Sequence, residues 1–315
     1  MLHHIKLAGL ILCISLIVMS FGVVRNFQYT QTLSRGNFFF ENTKKTADIQ
    51  KIKLKFANGN VITLLQKDNL WHVMEADEYF ASFRKINSLI KLLHQTSIYR
   101  ADYLSKSSKQ KLPSDFISII TYNKNNEVVD SAKILSKQDN NKFYYALINN
   151  NDFLYQLNGN FELSSLVMDW VQMPLLALTE NSIKRIQTDD FNVFRRFKNE
   201  ELKTVGTHLR VPQIQNLLQN LWYLTAEEIR QAAHFEKDKF PRTKKYEITL
   251  LNGIIYTLNI FYNDNEYWVS LNLSKDKIAS LEANRLIEEN NMLYNGWLFK
   301  INNRTGAAIV NFVLQ

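Results

Sequence analysis

Hydrophobic and polar positions alternate along this chain in a way that predicts two copies of one structural unit. Each copy opens on a strand-like alternation that contains the spacing Ile-x-x-Ile, at Ile49 and Ile52 and again at Ile183 and Ile186. A helical stripe follows in each copy, with apolar residues three and four positions apart. The stripes are Phe83, Ile86, Leu89, Ile90 and Leu93 in the first copy and Val211, Ile214, Leu217, Leu218 and Leu221 in the second.

Two further runs, rich in aromatic residues, complete each copy in the same order. The paired runs are 143–147 with 267–271 and 153–157 with 297–301. Taken residue by residue, they match Phe143 with Tyr267 and Phe153 with Trp297. Four matches in the same order indicate a duplication, with a first repeat at 48–176 and a second repeat at 177–315.

Turn-forming dipeptides place a hairpin in each repeat. Asn58-Gly59 and Asn252-Gly253 tolerate positive φ and are predicted to join adjacent strands. Strand alternation on both sides of each helical stripe predicts an antiparallel sheet with one helix packed on one face. The fold class predicted for the chain is therefore α+β.

Three segments are predicted to lie outside this common pattern. A short helix is expected at 163–171, before the break at Met173-Pro174. A helix at 275–289 has no counterpart in the first repeat, and the charged stretch 231–245 is predicted to be an exposed linker.

The N-terminal residues 1–25 form an apolar leader, and residues 26–47 are a polar linker without periodicity. Positions 7–24 carry no charge, and a helix of this length would span about 27 Å, close to the hydrocarbon core of a bilayer. The leader is predicted to be an uncleaved transmembrane anchor, with a cleaved signal peptide as the alternative. Either way the body is expected outside the cytoplasm, in the anchored case as a single-pass protein of the bacterial inner membrane with its body in the periplasm.

Composition is that of a globular body without disulfides. Hydrophobic residues make up 46% of the chain and charged residues 22%, and the only cysteine, Cys13, lies in the leader. The net charge is +8, but the basic residues are interspersed with acidic ones, which favours a solvated surface over a nucleic-acid site. The aromatic and basic stretch 191–198 is accordingly interpreted as an edge strand that buries phenylalanine.

No catalytic, cofactor-binding or metal-binding residue is predicted. The histidines show no ligand spacing, and the sequence contains neither Gly-x-Ser-x-Gly nor a phosphate-binding glycine loop. Adjacent acidic residues point to different faces of a strand or helix and make poor acid–base pairs. These pairs are Asp189-Asp190, Glu200-Glu201, Glu227-Glu228 and Glu288-Glu289. The protein is therefore expected not to be an enzyme and to need no cofactor.

The tryptophans allow two interpretations. They are Trp71, Trp170, Trp222, Trp268 and Trp297. Most lie beside apolar strand or helix positions, which favours packing in the core. The alternative is a groove that binds glycan, for which an exposed cluster would be the sign.

Four segments of the chain resemble a bacterial family, domain-of-unknown-function family 4340. They are 49–52, 69–73, 86–93 and the closing run 295–301 (Asn-Gly-Trp-Leu-Phe-Lys-Ile). The resemblance covers about residues 45–310. It implies a membrane-anchored extracytoplasmic protein, often associated with gliding-motility-type ABC transporters, and it implies no catalytic residue.

These observations lead to one expected function and two rivals. The expected function is that of a non-enzymatic accessory or scaffold protein whose partners are integral membrane proteins, an ABC permease and its ATPase, and not nucleic acid. The first rival is a periplasmic module that binds glycan or lipid, which predicts a concave pocket lined by aromatic residues between the repeats. The second is an enzyme, which predicts a cleft with converging titratable groups.

Overall fold

The computed structural model describes residues 49–105, 112, 114–135, 144–148, 152–158, 160–176, 178–205, 211–277 and 279–312. The predicted anchor at 1–25 and the linker at 26–47 lie outside these residues. Within the described part of the chain, no helix is both long enough and apolar enough to cross a membrane.

Strands dominate both halves of the chain. The first half contains β1 (Lys51–Lys55), β2 (Val61–Lys67), β3 (Leu70–Val73), β4 (Tyr79–Phe80), α1 (Phe83–Gln95), β5 (Ser97–Tyr103), β6 (Phe116–Tyr122), β7 (Val128–Leu135), β8 (Tyr144–Ile148) and β9 (Phe153–Asn158). The second half contains β10 (Ile183–Gln187), β11 (Asn192–Phe194), β12 (Lys203–Val205), α2 (Val211–Trp222), β13 (Ala226–Gln231), β14 (Arg242–Leu250), β15 (Ile254–Tyr262), β16 (Tyr267–Lys275), α3 (Leu281–Tyr294), β17 (Trp297–Ile301) and α4 (Asn303–Val310). The predicted α+β class is confirmed.

Contacts divide the described residues into two compact units. The first comprises 49–69 with 84–165, and the second comprises 70–83 with 166–312. The hairpin of β3 and β4 thus belongs to the second unit, whereas the repeat boundaries expected from the sequence place it in the first repeat. Ser82 N–H donates to Trp170 O at 2.7 Å, which ties this hairpin to the second unit.

Both units are built on one strand order. Within the first unit the strands run β2-β1-β6-β7-β8-β9-β5, and in the second they run β12-β11-β10-β14-β15-β16-β17-β13. If β10 is read for β1, β11 for β2, β13 for β5 and β14 to β17 for β6 to β9, the first order becomes the second without its outermost strand, β12. The pairs within each unit are antiparallel.

The predicted helical stripes are buried as a result of their spacing. In α1 the residues Ile86, Leu89 and Leu93 are buried, whereas Phe83 at the start of the helix is exposed. In α2 the buried residues are Ile214, Leu217, Leu218 and Leu221. Positions three and four apart lie on one side of a helix, so each stripe removes its side chains from water together.

Both predicted Asn-Gly turns join strands as expected. Gly59 (φ +87) lies between β1 and β2, and Gly253 (φ +88) lies between β14 and β15. A Cβ on Gly253 would lie 2.6 Å from Ala279 Cα, whereas a Cβ on Gly59 would meet nothing within 4 Å. The turn at Gly253 therefore requires glycine for space as well as for conformation.

The hydrogen-bond register corrects one of the predicted matches. Tyr144 lies opposite Leu157 in the first unit, and Tyr267 lies opposite Ile301 in the second. Because Leu157 and Ile301 close the matched runs, Tyr144 corresponds to Tyr267. The predicted partner, Phe143, precedes Tyr144 and lies outside the described residues. A slip of one residue moves every side chain of a strand to the opposite face.

With this register, each sheet has an inner face of buried residues, such as Leu258 and Ile260, and an outer face of the alternate, generally less buried residues. Corresponding outer-face positions are Lys133 and Asn259, Leu135 and Phe261, Tyr145 and Trp268, Leu147 and Ser270, and Gln156 and Lys300. The inner faces of both units are apolar, and the outer faces differ.

Three other segments differ from the sequence-based expectation. Only 167–170 of the predicted helix at 163–171 is helical, as a single 3₁₀ turn. The helix predicted at 275–289 begins at Leu281, because β16 continues to Lys275 and the hydroxyl of Ser280 caps the helix by accepting from Ala283 N at 3.1 Å. The linker predicted at 231–245 consists of the end of β13, two 3₁₀ turns and the start of β14.

Candidate binding cleft in the second unit

A cleft opens in the second sheet where two neighbouring strands stop pairing. The ladder between β16 and β17 ends at the pair Val269 and Phe299, after which Leu298 and Trp297 pair only with β13. Beyond this point α3 takes the place of a neighbouring strand. The Asn291 side chain accepts from Leu273 N at 2.8 Å and donates to Leu273 O at 2.7 Å. The amide thus supplies the two hydrogen bonds that a strand would have made.

The cleft has a volume of about 350 Å³ and lies within the second unit, not between the repeats as the ligand-binding rival had predicted. That volume is at the lower end of the range for small-molecule sites. The lining residues come from the 3₁₀ turns after β13, from β15, β16 and β17, and from the end of α3. They are Ala232, Phe235, Lys237, Asn259, Phe261, Ser270, Leu271, Asn272, Tyr294, Asn295, Gly296, Trp297 and Leu298.

Small polar side chains form the floor of the cleft. Asn259 on β15 and Ser270 on β16 are opposite each other in the ladder, and Asn259 Nδ2 donates to Ser270 Oγ at 3.4 Å. Asn272, two residues further along β16, lies on the same face and is exposed. An amide offers both donors and acceptors, and a hydroxyl does the same. The floor can therefore pair with a ligand that carries several groups of mixed hydrogen-bonding character.

Aromatic rings form one wall. The ring of Phe235 lies 5.8 Å from Phe261, 5.5 Å from Trp268 and 5.0 Å from Phe240, measured between centroids. Phe240 and Trp268 are buried, and Phe235 and Phe261 pack against them while lining the cleft. The segment between β13 and β14 is held on the outer face by this apolar contact, although most of its side chains are exposed, as their charge predicts.

Charged groups brace the rim behind this wall. Arg230 Cζ lies 4.9 Å from the Trp268 ring, and Trp268 Nε1 donates to Glu266 Oε2 at 3.4 Å. The hydrogen bond from Lys300 to the other carboxylate oxygen lowers the pKa of Glu266, so this carboxylate stays ionised at neutral pH. Trp268 is fixed by a cation on its face and an acceptor at its edge.

A second aromatic group positions Trp297. The buried ring of Tyr79 stands edge-on to Trp297 at 5.1 Å and to Phe299 at 5.5 Å. Burial raises the pKa of Tyr79, and burial likewise raises the pKa of Tyr294, whose hydroxyl donates to Leu175 O at 2.8 Å. Both phenols therefore remain neutral near pH 7.

Asp77 anchors the segment that carries Phe235. Its carboxylate accepts from Gln231 N at 2.7 Å and lies 3.1 Å from His234 Nδ1, and its carbonyl accepts from Gln231 Nε2 at 3.1 Å. Burial opposes ionisation of Asp77, but the hydrogen bonds from Gln231 and His234 outweigh it and lower the pKa. The end of β13 is capped by this carboxylate.

Arg195, part of the aromatic and basic stretch weighed for nucleic acid, is buried and serves the backbone. Its guanidinium donates to Ile183 O at 2.6 Å, to Lys198 O and Glu200 O at 3.3 Å each, and to Glu180 O. The strand that precedes Arg195, β11, pairs with both β10 and β12 and is therefore not the edge strand expected from the sequence.

The histidines and tryptophans singled out in the sequence are dispersed. His72 Nδ1 lies 2.8 Å from Glu78 O, whereas Nε2 of His94 is buried without a hydrogen bond. His3, His4 and His208 lie outside the described residues. Among the described residues, no group of three or more His, Cys, Asp or Glu side chains could hold a metal ion. Trp170 and Trp268 are buried, so the core interpretation holds for these two. Trp71 and Trp297 are half-buried, Trp297 lines the cleft, and Trp222 is 44% exposed.

Sequence reasoning did not find the cleft. The available signal was the pair Phe235 and Phe240 inside an otherwise charged stretch, together with Asn259 in β15 and the alternating Ser270 and Asn272 in β16. Both features look ordinary until the register shows that they share one face. Comparison with protein-family models, with curated proteins and with solved structures finds no match to this chain.

Proposed function

We propose that this chain is a non-enzymatic binding protein of the extracytoplasmic side of a bacterial inner membrane, and that the cleft of the second unit binds a small polar ligand. The observation that carries the proposal is the lining itself, which combines amides, a hydroxyl and aromatic rings at the opening between β16 and β17. Such a mixture is typical of sites that orient a ligand by a few polar groups against an apolar wall.

The chemistry of the lining supports binding over catalysis. Its titratable side chains are those of Lys237 and Tyr294, and neither a carboxylate nor an imidazole is among the lining residues. Because burial raises the pKa of Tyr294, its phenol keeps its proton near neutral pH. General acid–base catalysis works best with a group whose pKa lies near the working pH. The lining favours a protein that holds its ligand without converting it.

The membrane context of the proposal rests on the leader and on the family resemblance. An uncleaved leader would tether the body, and the resemblance points to an ABC permease and its ATPase as partners. In that role the protein is an accessory subunit, and the ligand-binding cleft gives it a means to sense or present a small molecule beside the transporter.

The accessory role is tested by affinity purification of the tagged, full-length protein from its native membrane in mild detergent, with mass spectrometry of the companions. We expect an ABC permease and its ATPase in stoichiometric amounts. Protein that keeps its leader and emerges without them contradicts the accessory role and leaves the binding role standing.

The binding role is tested by native mass spectrometry of the same preparation. Ser270→Trp places a large ring in the floor of the cleft, and Leu147→Trp makes the same change at the corresponding position of the first unit. We expect a bound small molecule on the wild type and on Leu147→Trp, and none on Ser270→Trp. Equal occupancy in all three, with unchanged circular dichroism spectra, would contradict a ligand site in this cleft.

A further inference from the structure

We propose that the ligand of the cleft is a neutral saccharide. This inference rests on the proposed binding function and adds the chemical class of the ligand. Three features of the cleft carry the inference. The floor holds Asn259, Ser270 and Asn272, and one wall holds Phe235 and Phe261. The carboxyl end of α3 lies on the other side.

The two kinds of lining correspond to the two kinds of surface on a sugar ring. A pyranose has a face of C–H groups, which packs against an aromatic ring, and a rim of hydroxyls, each of which donates and accepts. Phe261 and Phe235 supply the aromatic surface, with Trp297 on the neighbouring strand. Asn259 and Asn272 lie diagonally across the ladder of β15 and β16, so each amide can pair with a different hydroxyl of one ligand.

An acyl chain is a poorer fit to this floor. Burying an alkyl chain against amides and a hydroxyl removes their water without replacing its hydrogen bonds, and each unpaired group then costs about 1–3 kcal/mol. Asn272 and Ser270 would both lose water in this way. A saccharide hydroxyl restores those hydrogen bonds, so the polar floor favours the glycan over the lipid among the ligands considered.

The direction of α3 selects against an anionic ligand. The helix runs from Leu281 to Tyr294, and its last residue and the two that follow line the cleft. The carboxyl end of a helix carries partial negative charge on carbonyls that have no partner within the helix. Lys237, the only charged residue of the lining, is exposed and lies on the side of the aromatic wall, with Nζ 5.5 Å from the Phe261 centroid.

The first unit does not repeat this arrangement. The positions that correspond to Asn259 and Ser270 are Lys133 and Leu147, and the position of Phe261 is taken by Leu135. The same sheet therefore carries a polar, aromatic-walled floor in the second unit and a mixed aliphatic and basic surface in the first. Saccharide binding is assigned to the second unit alone.

The test is isothermal titration of the full-length protein, solubilised in a zwitterionic detergent without a sugar headgroup. The panel contains neutral sugars (glucose, galactose, mannose, N-acetylglucosamine and maltose), glucuronate as an anionic sugar, and decanoate as an acyl probe. We expect saturable binding of at least one neutral sugar, weakened at least tenfold by Asn272→Leu and by Phe261→Ala. Asn87→Leu, which changes an exposed amide on α1, serves as the matched control and should bind as the wild type does.

Asn272 is exposed, so its substitution reports on the cleft even if Phe261→Ala lowers stability. Glucuronate binding as tightly as its neutral counterpart would overturn the preference for an uncharged ligand. Binding of decanoate alone, or a native, cleft-dependent ligand that is no sugar, would overturn the saccharide and leave the proposed binding function intact. Absence of any cleft-dependent ligand, in titration and in native mass spectrometry alike, would overturn both.

Discussion

The two units share their edge strands in detail and differ on their outer faces. In β5 the register against β9 shifts between Ile98 and Arg100, and in β13 the register against β17 shifts between Ala226 and Glu228. Both strands thus carry a bulge at the same place. The next positions form an ion pair in both units, Arg100 with Asp102 and Glu228 with Arg230, with the charges exchanged.

This comparison shows which features the fold requires and which it leaves free. A bulge increases the twist of an edge strand, and charged side chains protect its free edge from pairing with another strand. Either order of the two charges gives this protection. The outer face is under no such constraint, so it carries Leu147 in one unit and Ser270 in the other. One scaffold can therefore carry a hydroxyl in the cleft of one copy and an aliphatic side chain at the matching position of the other.

The largest expected contrast lies at the matched pair Trp268 and Tyr145. Trp268 is buried under Phe235 and Phe240, whereas Tyr145 is half-buried. We expect Trp268→Ala to lower the free energy of unfolding by about 4 kcal/mol, because a large cavity forms. Tyr145→Ala should cost about 1 kcal/mol. Urea unfolding, followed by hydrogen exchange of peptides from each unit, measures both, and similar losses would contradict the assigned difference.

Arg195 and Gln66 form the next contrast. They occupy corresponding positions in the two units, since Arg195 N donates to Lys184 O at 2.9 Å and Gln66 N donates to Gln50 O at 2.8 Å. Arg195→Gln installs the residue of the first unit and leaves carbonyls of the second without a donor, so we expect a loss of about 3 kcal/mol. The exposed neighbour gives the control, Arg196→Gln, which should change stability by less than about 0.5 kcal/mol. A stable Arg195→Gln protein would show that water replaces the guanidinium.

The two turn glycines separate conformational strain from lack of space. Gly253→Ala adds a Cβ 2.6 Å from Ala279 Cα at positive φ, and we expect a loss of about 3 kcal/mol. Gly59→Ala meets no neighbour and should cost about 1 kcal/mol, the strain of the left-handed backbone alone. Thermal unfolding of the two variants gives the comparison, and equal shifts in Tm would mean that the loop at Ala279 moves aside.

The smallest contrast concerns two carboxylates beside the edge strands. The lowered pKa of Asp77 means that its contribution to stability is present above the unfolded pKa, about 3.9, and is lost as pH falls through the folded pKa. Asp77→Asn should therefore cost about 1 kcal/mol at pH 7 and less than that at pH 3. Asp102→Asn changes an exposed ion pair and should have little effect at either pH. If Asp77→Asn lowers the free energy of unfolding equally at pH 7 and pH 3, Asp77 stabilises the fold through packing and not through its charge.

Much of the fold could be read from periodicity. The apolar stripes of α1 and α2 can be predicted from the sequence alone, because apolar residues three and four positions apart mark the buried side of a helix whatever surface it packs against. The turns at Gly59 and Gly253 were assigned because positive φ is a local requirement. The aromatic runs are also predicted to be strands, but the alignment of 143–147 with 267–271 was displaced by one residue, because matching letters does not reveal which backbone groups are paired.

The cleft could not be read in the same way. Phe235 lies in a stretch whose charge indicates exposure, and only packing on Trp268 makes it part of a wall. Ser270 and Asn259 are separated by the hairpin that joins their strands, and they become one surface through the ladder of β15 and β16. A helix in the region of α3 is predicted, but the two hydrogen bonds between Asn291 and Leu273, which close the open side of β16, depend on the position of the helix and not on its pattern.

By itself, the sequence determined the α+β class, the recurrence of one unit, the helices α1 and α2 and the two Asn-Gly turns, because these follow from residue spacing and local backbone preference. Tertiary structure alone decided the register of the aromatic strands, the burial of Arg195 among carbonyls and the outer-face cleft. The physical reason is that hydrogen-bond pairing and desolvation join residues far apart in the chain, and their energies exist only once the strands are adjacent.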